Sequence, residues 1–213
     1  MTVLGLQGAR RGKAKRTTIP EAGAARAKDL VGRDFRPLAP NRLWVADFTY
    51  VSTLAGWVYV AFVIDAYARR ILGWKVSTAM TTDLVLDAIN QAIFTRRREG
   101  VKDFSGLIHH NDAGSQYTSV RFTDRLLEEG IDASIGSVGD AHDNSLAESI
   151  NGLFKTELIK PRRPWRNADH VEAETATYLN WFNNRRLYEY CGDMPPVKLE
   201  QIFFARQATI GVA

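Results

Sequence analysis

The segments LWVADFTYV (43–51), WVYVAFVID (57–65) and ILGWKVS (71–77) decide the fold of this chain. All three are rich in the β-branched and aromatic residues that suit a pleated surface. Leu54-Ala55-Gly56 separates the first two and Ala68-Arg69-Arg70 precedes the third. Links this short admit hairpins, not crossovers, so the three segments read as an antiparallel meander.

Beyond the meander the pattern alternates. Thr82 or Asp83 can cap a helix with Leu84, Ala88, Ile89, Ala92 and Ile93 on one face, closed by Gly100. Leu107–His109 is a short strand. Ser119 can cap a second helix carrying Phe122, Leu126 and Leu127, stopped by Gly130, and Ala133–Ile135 is another short strand. The polar loop GSVGDAHDN (136–144) leads to a third helix, Ser145 to Leu158. After PRRPW (161–165) a long helix starts at Asn167, with Val171, Thr175, Tyr178, Leu179 and Phe182 inward; Pro195-Pro196 breaks the chain before a short last helix. Three antiparallel strands followed by α-β-α-β-α predict an α/β fold, a mixed five-stranded sheet flanked by helices, in the order of the ribonuclease H-like fold. The expected division is a basic linker or tail over 1–40, a catalytic-type core over 41–160 and a helical C-terminal extension over 161–213.

The chain has 213 residues, 45% hydrophobic and 24% charged, which allows one good core. No run of 18 apolar residues is present, so no membrane helix is expected. Cys191 is the sole cysteine, which excludes an internal disulfide and a Cys-pair zinc site. The N-terminus has the wrong charge order for a secretory signal, so a cytoplasmic setting is expected. The net charge of +4 is uneven: residues 1–36 hold nine Lys/Arg against three Asp/Glu, and the remainder 19 against 21. A basic arm headed by Arg10, Arg11, Lys13, Lys15 and Arg16 suits a polyanion, or is a solvated tail.

Three acids stand out. Asp47 lies inside the most apolar β-segment, where a charge is costly unless it is hydrogen-bonded, paired or bound to a metal. Asp112 follows a short strand in HHNDAGSQYTS (109–119), a tight polar loop that presents a side chain at a sheet edge or simply uses Asp to turn. On the third helix Leu146, Ile150, Leu153 and Phe154 form the apolar stripe. Glu148 is rotated roughly 200° from Leu146, away from that stripe, and Lys155 returns to its face two turns on.

WVADFTYV (44–51), HHNDAGSQYTS (109–119) and DNSLAESINGLFKTE (143–157) together resemble the signature segments of bacterial insertion-sequence transposases with a retroviral-integrase-like core, nearest the insertion-sequence-three family. That family has an Asp in the first strand, an Asp after the fourth, 35 residues, a Glu, and a Lys or Arg seven residues later. Here 35 residues separate Asp112 from Glu148, and Lys155 holds the last position. The likeness runs over about residues 30–205.

The resemblance implies a DDE-type polynucleotidyl transferase that cuts and rejoins DNA at mobile-element ends. Asp47, Asp112 and Glu148 would then be catalytic and metal-ligating, with two Mg²⁺ ions (Mn²⁺ as the substitute), a hard-cation and carboxylate pairing suited to displacement at phosphorus. It implies element-end and target DNA as partners, a homo-oligomer assembled on DNA, and a nucleoid-associated bacterial setting. The family's helix-turn-helix does not precede the basic stretch here, which reads either as a truncated or separately expressed piece or as a reading frame completed by an upstream helix-turn-helix product. Two other readings stay open at this point: a catalytically silent DNA-binding regulator, and a same-fold nuclease without strand transfer.

Other residues have plainer expected roles. Asp65 is expected to be structural, paired with Arg69 or Arg70. Asp143 is the expected cap of the third helix, with Asn144 as its rival. Asp140 flanks the same loop. His109, His110, His142 and His170 cannot build a His-His-Cys-Cys zinc module, and His110 is expected to pack or hydrogen-bond. Lys155, Lys160, Arg162 and Arg163 form the expected DNA-binding run, extended by Arg166, Arg185 and Arg186 and interleaved with Trp165, Trp181 and Tyr188.

Overall fold

The computed structural model describes residues 27–136 and 141–210, with only the backbone described at 141, 142 and 210. The basic head of the tail, Arg10 to Arg16, and Asp140 lie outside the described residues.

Strands β1 (Leu43–Thr53), β2 (Gly56–Asp65) and β3 (Arg70–Ser77) form the meander; α1 (Thr82–Arg98), β4 (Ile108–Asn111), α2 (Val120–Glu128), β5 (Asp132–Ile135), α3 (Ser145–Phe154), α4 (Ala168–Asn184) and α5 (Pro196–Ile210) follow. The sheet order is β3-β2-β1-β4-β5, with β1 antiparallel to β2 and parallel to β4. This is the mixed five-stranded sheet expected from the element order. β1 is its central strand, and β4 pairs only with Leu43–Ala46. From Asp47 onward, β1 therefore has an unpaired edge.

Period-two alternation sorts the strand residues into two cores. Val45, Phe62 and Ile64 pack with Ile150, Phe154, Leu179 and Phe182, whereas Trp44, Ala46, Ala61 and Val63 pack with Leu84, Ile89, Phe122 and Leu126. So α3 and α4 cover one face and α1 and α2 the other. Gly73 allows the second packing to be close: a Cβ there would stand 2.0 Å from the Ala88 carbonyl oxygen of α1. Any side chain at 73 would push α1 off the sheet.

Several local expectations hold. Ser119 caps α2 by accepting from the Phe122 amide, and the long helix begins next to Asn167, which proves to be its cap by accepting from His170. Others change. The last helix is 15 residues long, not short. The segment ahead of Asn41 is more than a linker: Phe35 is buried in the core and the Leu30 amide donates to Ser134 Oγ at 2.9 Å. Asp65 is structural, but its partner is not Arg69 or Arg70. It accepts from Arg96 at 2.8 Å, from the Asn41 amide at 2.8 Å and from Trp44 Nε1 at 3.3 Å. Arg96 also donates to Glu200 at 2.6 Å, and Arg70 reaches Glu200 at 2.7 Å. Asp65, Arg96 and Glu200 are all essentially buried, and their bonds tie α5 to α1 and to the end of β2. Sequence spacing could not find this, because 104 positions separate Arg96 from Glu200.

No helix among the described residues is long and apolar enough to cross a membrane.

Candidate active site

β1 presents Asp47 just past the point where β4 stops pairing, β4 releases the chain at Asn111 into Asp112, and α3 passes beside this edge. Three chain segments thus bring Asp47, Asp112 and Glu148 to one corner of the sheet. Their charges act on one another. Burial pushes the Asp47 carboxyl up to about 7, opposed by the Phe48 amide and the Asn151 side chain and reinforced by Asp112 and Glu148. Burial and the Glu148 charge also raise Asp112. Like charges brought together out of bulk water hold protons more tightly.

The three acids are held differently. Asp47 Oδ1 accepts from the Phe48 amide at 2.8 Å and Oδ2 from Asn151 Nδ2 at 2.7 Å. Asp112 is placed by its own backbone: its carbonyl accepts from Gly114 at 2.7 Å and from Asn111 Nδ2 at 2.7 Å. Its carboxylate, like that of Glu148, has no hydrogen bond from the described residues. Glu148 is exposed while Leu146, Ile150 and Phe154 on the same helix are buried, as the 3.6-residue period requires. Among the described residues no three acids or imidazoles are gathered into a ready-made metal cluster. What the corner offers is three hard-oxygen side chains, of which Asp47 alone is hydrogen-bonded among the described residues.

The start of α3 departs from expectation. Asn144, not Asp143, is the N-cap residue, and it makes no side-chain capping bond. Its Nδ2 instead donates to the Ala46 carbonyl at 3.0 Å, one residue before Asp47. Asp143 pairs with Arg33 at 2.6 Å, and its carbonyl meets His110 Nε2 at 2.8 Å. His110 Nδ1 meets Ser134 Oγ at 2.8 Å, so His110 is a hydrogen-bonded strut under the site, as expected. His109 is fully buried against Tyr117 and Phe122, and burial lowers its pKa to about 3, so it stays neutral.

Asn151 is the residue that sequence reading missed. It sits one helical turn after Glu148, buried at 8% exposure, and holds the Asp47 carboxylate. A polar residue interrupting the stripe of Leu146, Ile150 and Phe154 was the available signal. Together Asn144 and Asn151 register α3 against β1, which sets where Glu148 stands relative to Asp47.

Lys155 remains on the Glu148 face. Its Nζ lies 4.5 Å above the Tyr50 ring, at the point where α3 continues as a π turn over Lys155–Ile159. Lys160 and Arg163 are exposed and make no ion pair among the described residues. Arg162 pairs with Glu174, and Arg186 pairs with Glu157 at 2.7 Å. Trp165 is buried, its Nε1 donating to the Ile159 carbonyl at 2.9 Å. The basic run is therefore divided: some members are committed to the fold and others are not.

Two integrase core domain models match the chain, over residues 37–141 and 129–196. A Mycobacterium bovis protein named for insertion sequence element IS986/IS6110 is 63% identical over 207 residues, 97% of this chain and 74% of that one. The transposase for insertion sequence element IS629 of Shigella sonnei is 51% identical over 205 residues, 96% of this chain and 67% of the relative. This chain belongs to the insertion-sequence transposases with an integrase core. The transposase shares its fold with the integrase catalytic core domain of HTLV-2, solved in complex with magnesium: the TM-score is 0.58 at 17% identity, over 78% of this chain and 99% of that one. The two matched segments overlap within β5 and the loop before α3, so both together take in the corner where Asp47, Asp112 and Glu148 meet.

Proposed function

We propose that this transposase core cuts and rejoins DNA at mobile-element ends with Asp47, Asp112 and Glu148 as its catalytic carboxylates. The observation that carries the reading is the convergence of three acids from β1, the β4 exit and α3, with the raised pKa values of Asp47 and Asp112 as its consequence.

Asp47, Asp112 and Glu148 would together hold the divalent ions. Bound there, Mg²⁺ or Mn²⁺ would supply Lewis acidity at phosphorus and charge neutralisation. The protein's own residues do the positioning. Asn151 fixes the Asp47 carboxylate, the Asn144 bond to Ala46 fixes the start of α3, and the Gly114 turn aims Asp112. In the first reaction water's oxygen bonds to phosphorus and gives up a proton to solvent, while the bridging 3′ oxygen leaves with the electron pair of the broken P–O bond and takes up a proton from solvent to become a hydroxyl. In the second, the freed 3′-hydroxyl attacks a target phosphodiester, so one P–O bond forms as one breaks. Neither step needs a nucleophilic side chain.

Lys155, Lys160 and Arg163 are placed to meet phosphates; Arg162 would have to leave Glu174 to do so. Such contacts position a duplex without reading it; an upstream helix-turn-helix partner would supply end recognition. Several copies assembling on DNA would bring two ends to one target.

The test is incubation of the purified chain with labelled element-end DNA and Mg²⁺, scoring nicking and joining separately. Nicking and joining in the wild type, both lost in Asp47→Asn, Asp112→Asn and Glu148→Gln, are the expected results. Joining that survives any one substitution removes that residue from the site.

A further inference from the structure

Tyr50 and Trp57 are large aromatic residues left 56% and 57% exposed near the tip of the β1–β2 hairpin. Their rings meet edge-on, with centroids 5.2 Å apart. Lys155 Nζ stands 4.5 Å above Tyr50, so a cation adjoins the pair. The hairpin tip is not loose: the Leu54 and Ala55 amides donate to the Trp165 and Arg166 carbonyls at 2.9 and 3.2 Å, fastening it to the arginine-rich link. A rigid aromatic pair beside a lysine and an arginine-rich segment has the composition of a base-stacking platform with phosphate contacts.

Its position relative to the acids can be read twice. Tyr50 lies three residues beyond Asp47 on β1, roughly 10 Å along the strand at about 3.3 Å per residue and on its other face, but Lys155 of the α3 side meets its ring beyond the point where β4 stops pairing. Lys155 lies seven residues beyond Glu148 on α3, again roughly 10 Å at about 1.5 Å per residue. Both acid-bearing elements therefore arrive at the platform after the same distance. A stacked DNA strand advances about 3.4 Å per nucleotide, so that distance is about three nucleotides.

We propose that Tyr50 and Trp57 stack on unpaired bases of the DNA strand about three nucleotides from the scissile phosphate, while Lys155 holds the adjoining phosphate. This rests on the catalytic assignment above only for where the scissile phosphate lies. The platform holds open the frayed end that a strand-transfer enzyme must present to its carboxylates. Stacking accepts any base, so the contact adds affinity for distorted DNA without adding sequence preference.

The experiment uses the whole chain in metal-free buffer with a duplex whose last nucleotides are unpaired, carrying 2-aminopurine at each of the first five positions in turn. Quenching on binding should peak near the third position. Tyr50→Ala and Trp57→Ala should each abolish that peak and weaken binding of the unpaired end about tenfold or more, with little change for fully paired DNA. Trp57→Phe should retain most of the quenching, which separates stacking from loss of folding. Unchanged quenching in both alanine variants overturns the proposal, and so does equal weakening toward paired and unpaired DNA. If the wild type binds and quenches as expected but cuts nothing with Mg²⁺, the catalytic reading fails and the platform stands. If it cuts normally and the alanine variants quench normally, the reverse holds.

Discussion

Two groups of acids lie on neighbouring strands and obey opposite rules. Asp65, at the end of β2, is completely buried and meets a guanidinium, an amide and an indole N–H; Glu200 beside it is likewise tied to Arg96 and Arg70. Asp47, on β1, is half-buried and meets two other acids and, among the described residues, no cation. The first group is neutralised within the fold and clamps α5 in place. The second receives no cation from the described residues, and burial together with the neighbouring acids raises the pKa of Asp47 and Asp112. A buried acid with its cation supplied is architecture. An acid cluster without one is a candidate site.

The largest effect should appear in activity. Asp47→Asn, Asp112→Asn and Glu148→Gln should each lower nicking and joining about a thousandfold or more, the equivalent of roughly 4 kcal/mol at 1.36 kcal/mol per decade. Melting temperature should hold or rise, because removing one of several like charges relieves repulsion. A variant that unfolds instead would place its acid with the structural group.

Arg96→Ala should do the opposite. Leaving Asp65 and Glu200 buried without their cation should cost about 3–5 kcal/mol, read from the denaturant midpoint. If the midpoint barely moves, the two acid groups do not differ as described.

Stability against pH sharpens the contrast. The folded pKa of Asp47 is raised to about 7 from the ordinary 3.8, so the folded state holds the proton that the unfolded chain has lost. Its contribution is therefore fully present below pH 4 and disappears as pH rises through 7, by up to about 4 kcal/mol. Metal-free melts of the wild type should fall across this window. Asp47→Asn should flatten the fall, and Mg²⁺ should reverse it by favouring the ionised carboxylate. A wild-type curve that coincides with Asp47→Asn in the absence of metal would falsify the account.

Smaller effects lie around the acids. Asn151→Ala removes the side chain that orients Asp47, and losing such an outer partner typically lowers metal affinity or activity about 10–100-fold. Titration of activity with Mg²⁺ should show it as a raised metal requirement. Lys155→Ala should reduce the slope of log affinity against log salt by about one. An unchanged slope with normal joining would return Lys155 to a purely structural contact with Tyr50.

Much of the fold was legible because the signals are local. The hairpin links, the alternation in 43–65, the cap Ser119, the helix start at Asn167, and the stripe that turns Glu148 outward all depend on residues within a few positions of one another. Part of the site was legible for the same reason: Glu148 and Lys155 share a helix face by simple rotation. The capping expectation for Asp143 failed because its carboxylate found Arg33, 110 positions away, and local propensity cannot weigh a partner at that distance.

By itself the sequence determined which segments are strands and helices, which faces are apolar, and which acids stand in unfavourable or exposed places. It also carried the spaced motifs that tie the chain to its family. Only the tertiary structure decided which acids receive a cation. Asp65 and Asp47 look alike in sequence, each in an apolar strand of the same meander, and what separates them is a long-range encounter: Arg96 arrives over one and Asn151 over the other. A side chain's charge is a local property, but its neutralisation depends on what packs against it, and packing is settled only when the sheet and helices close together.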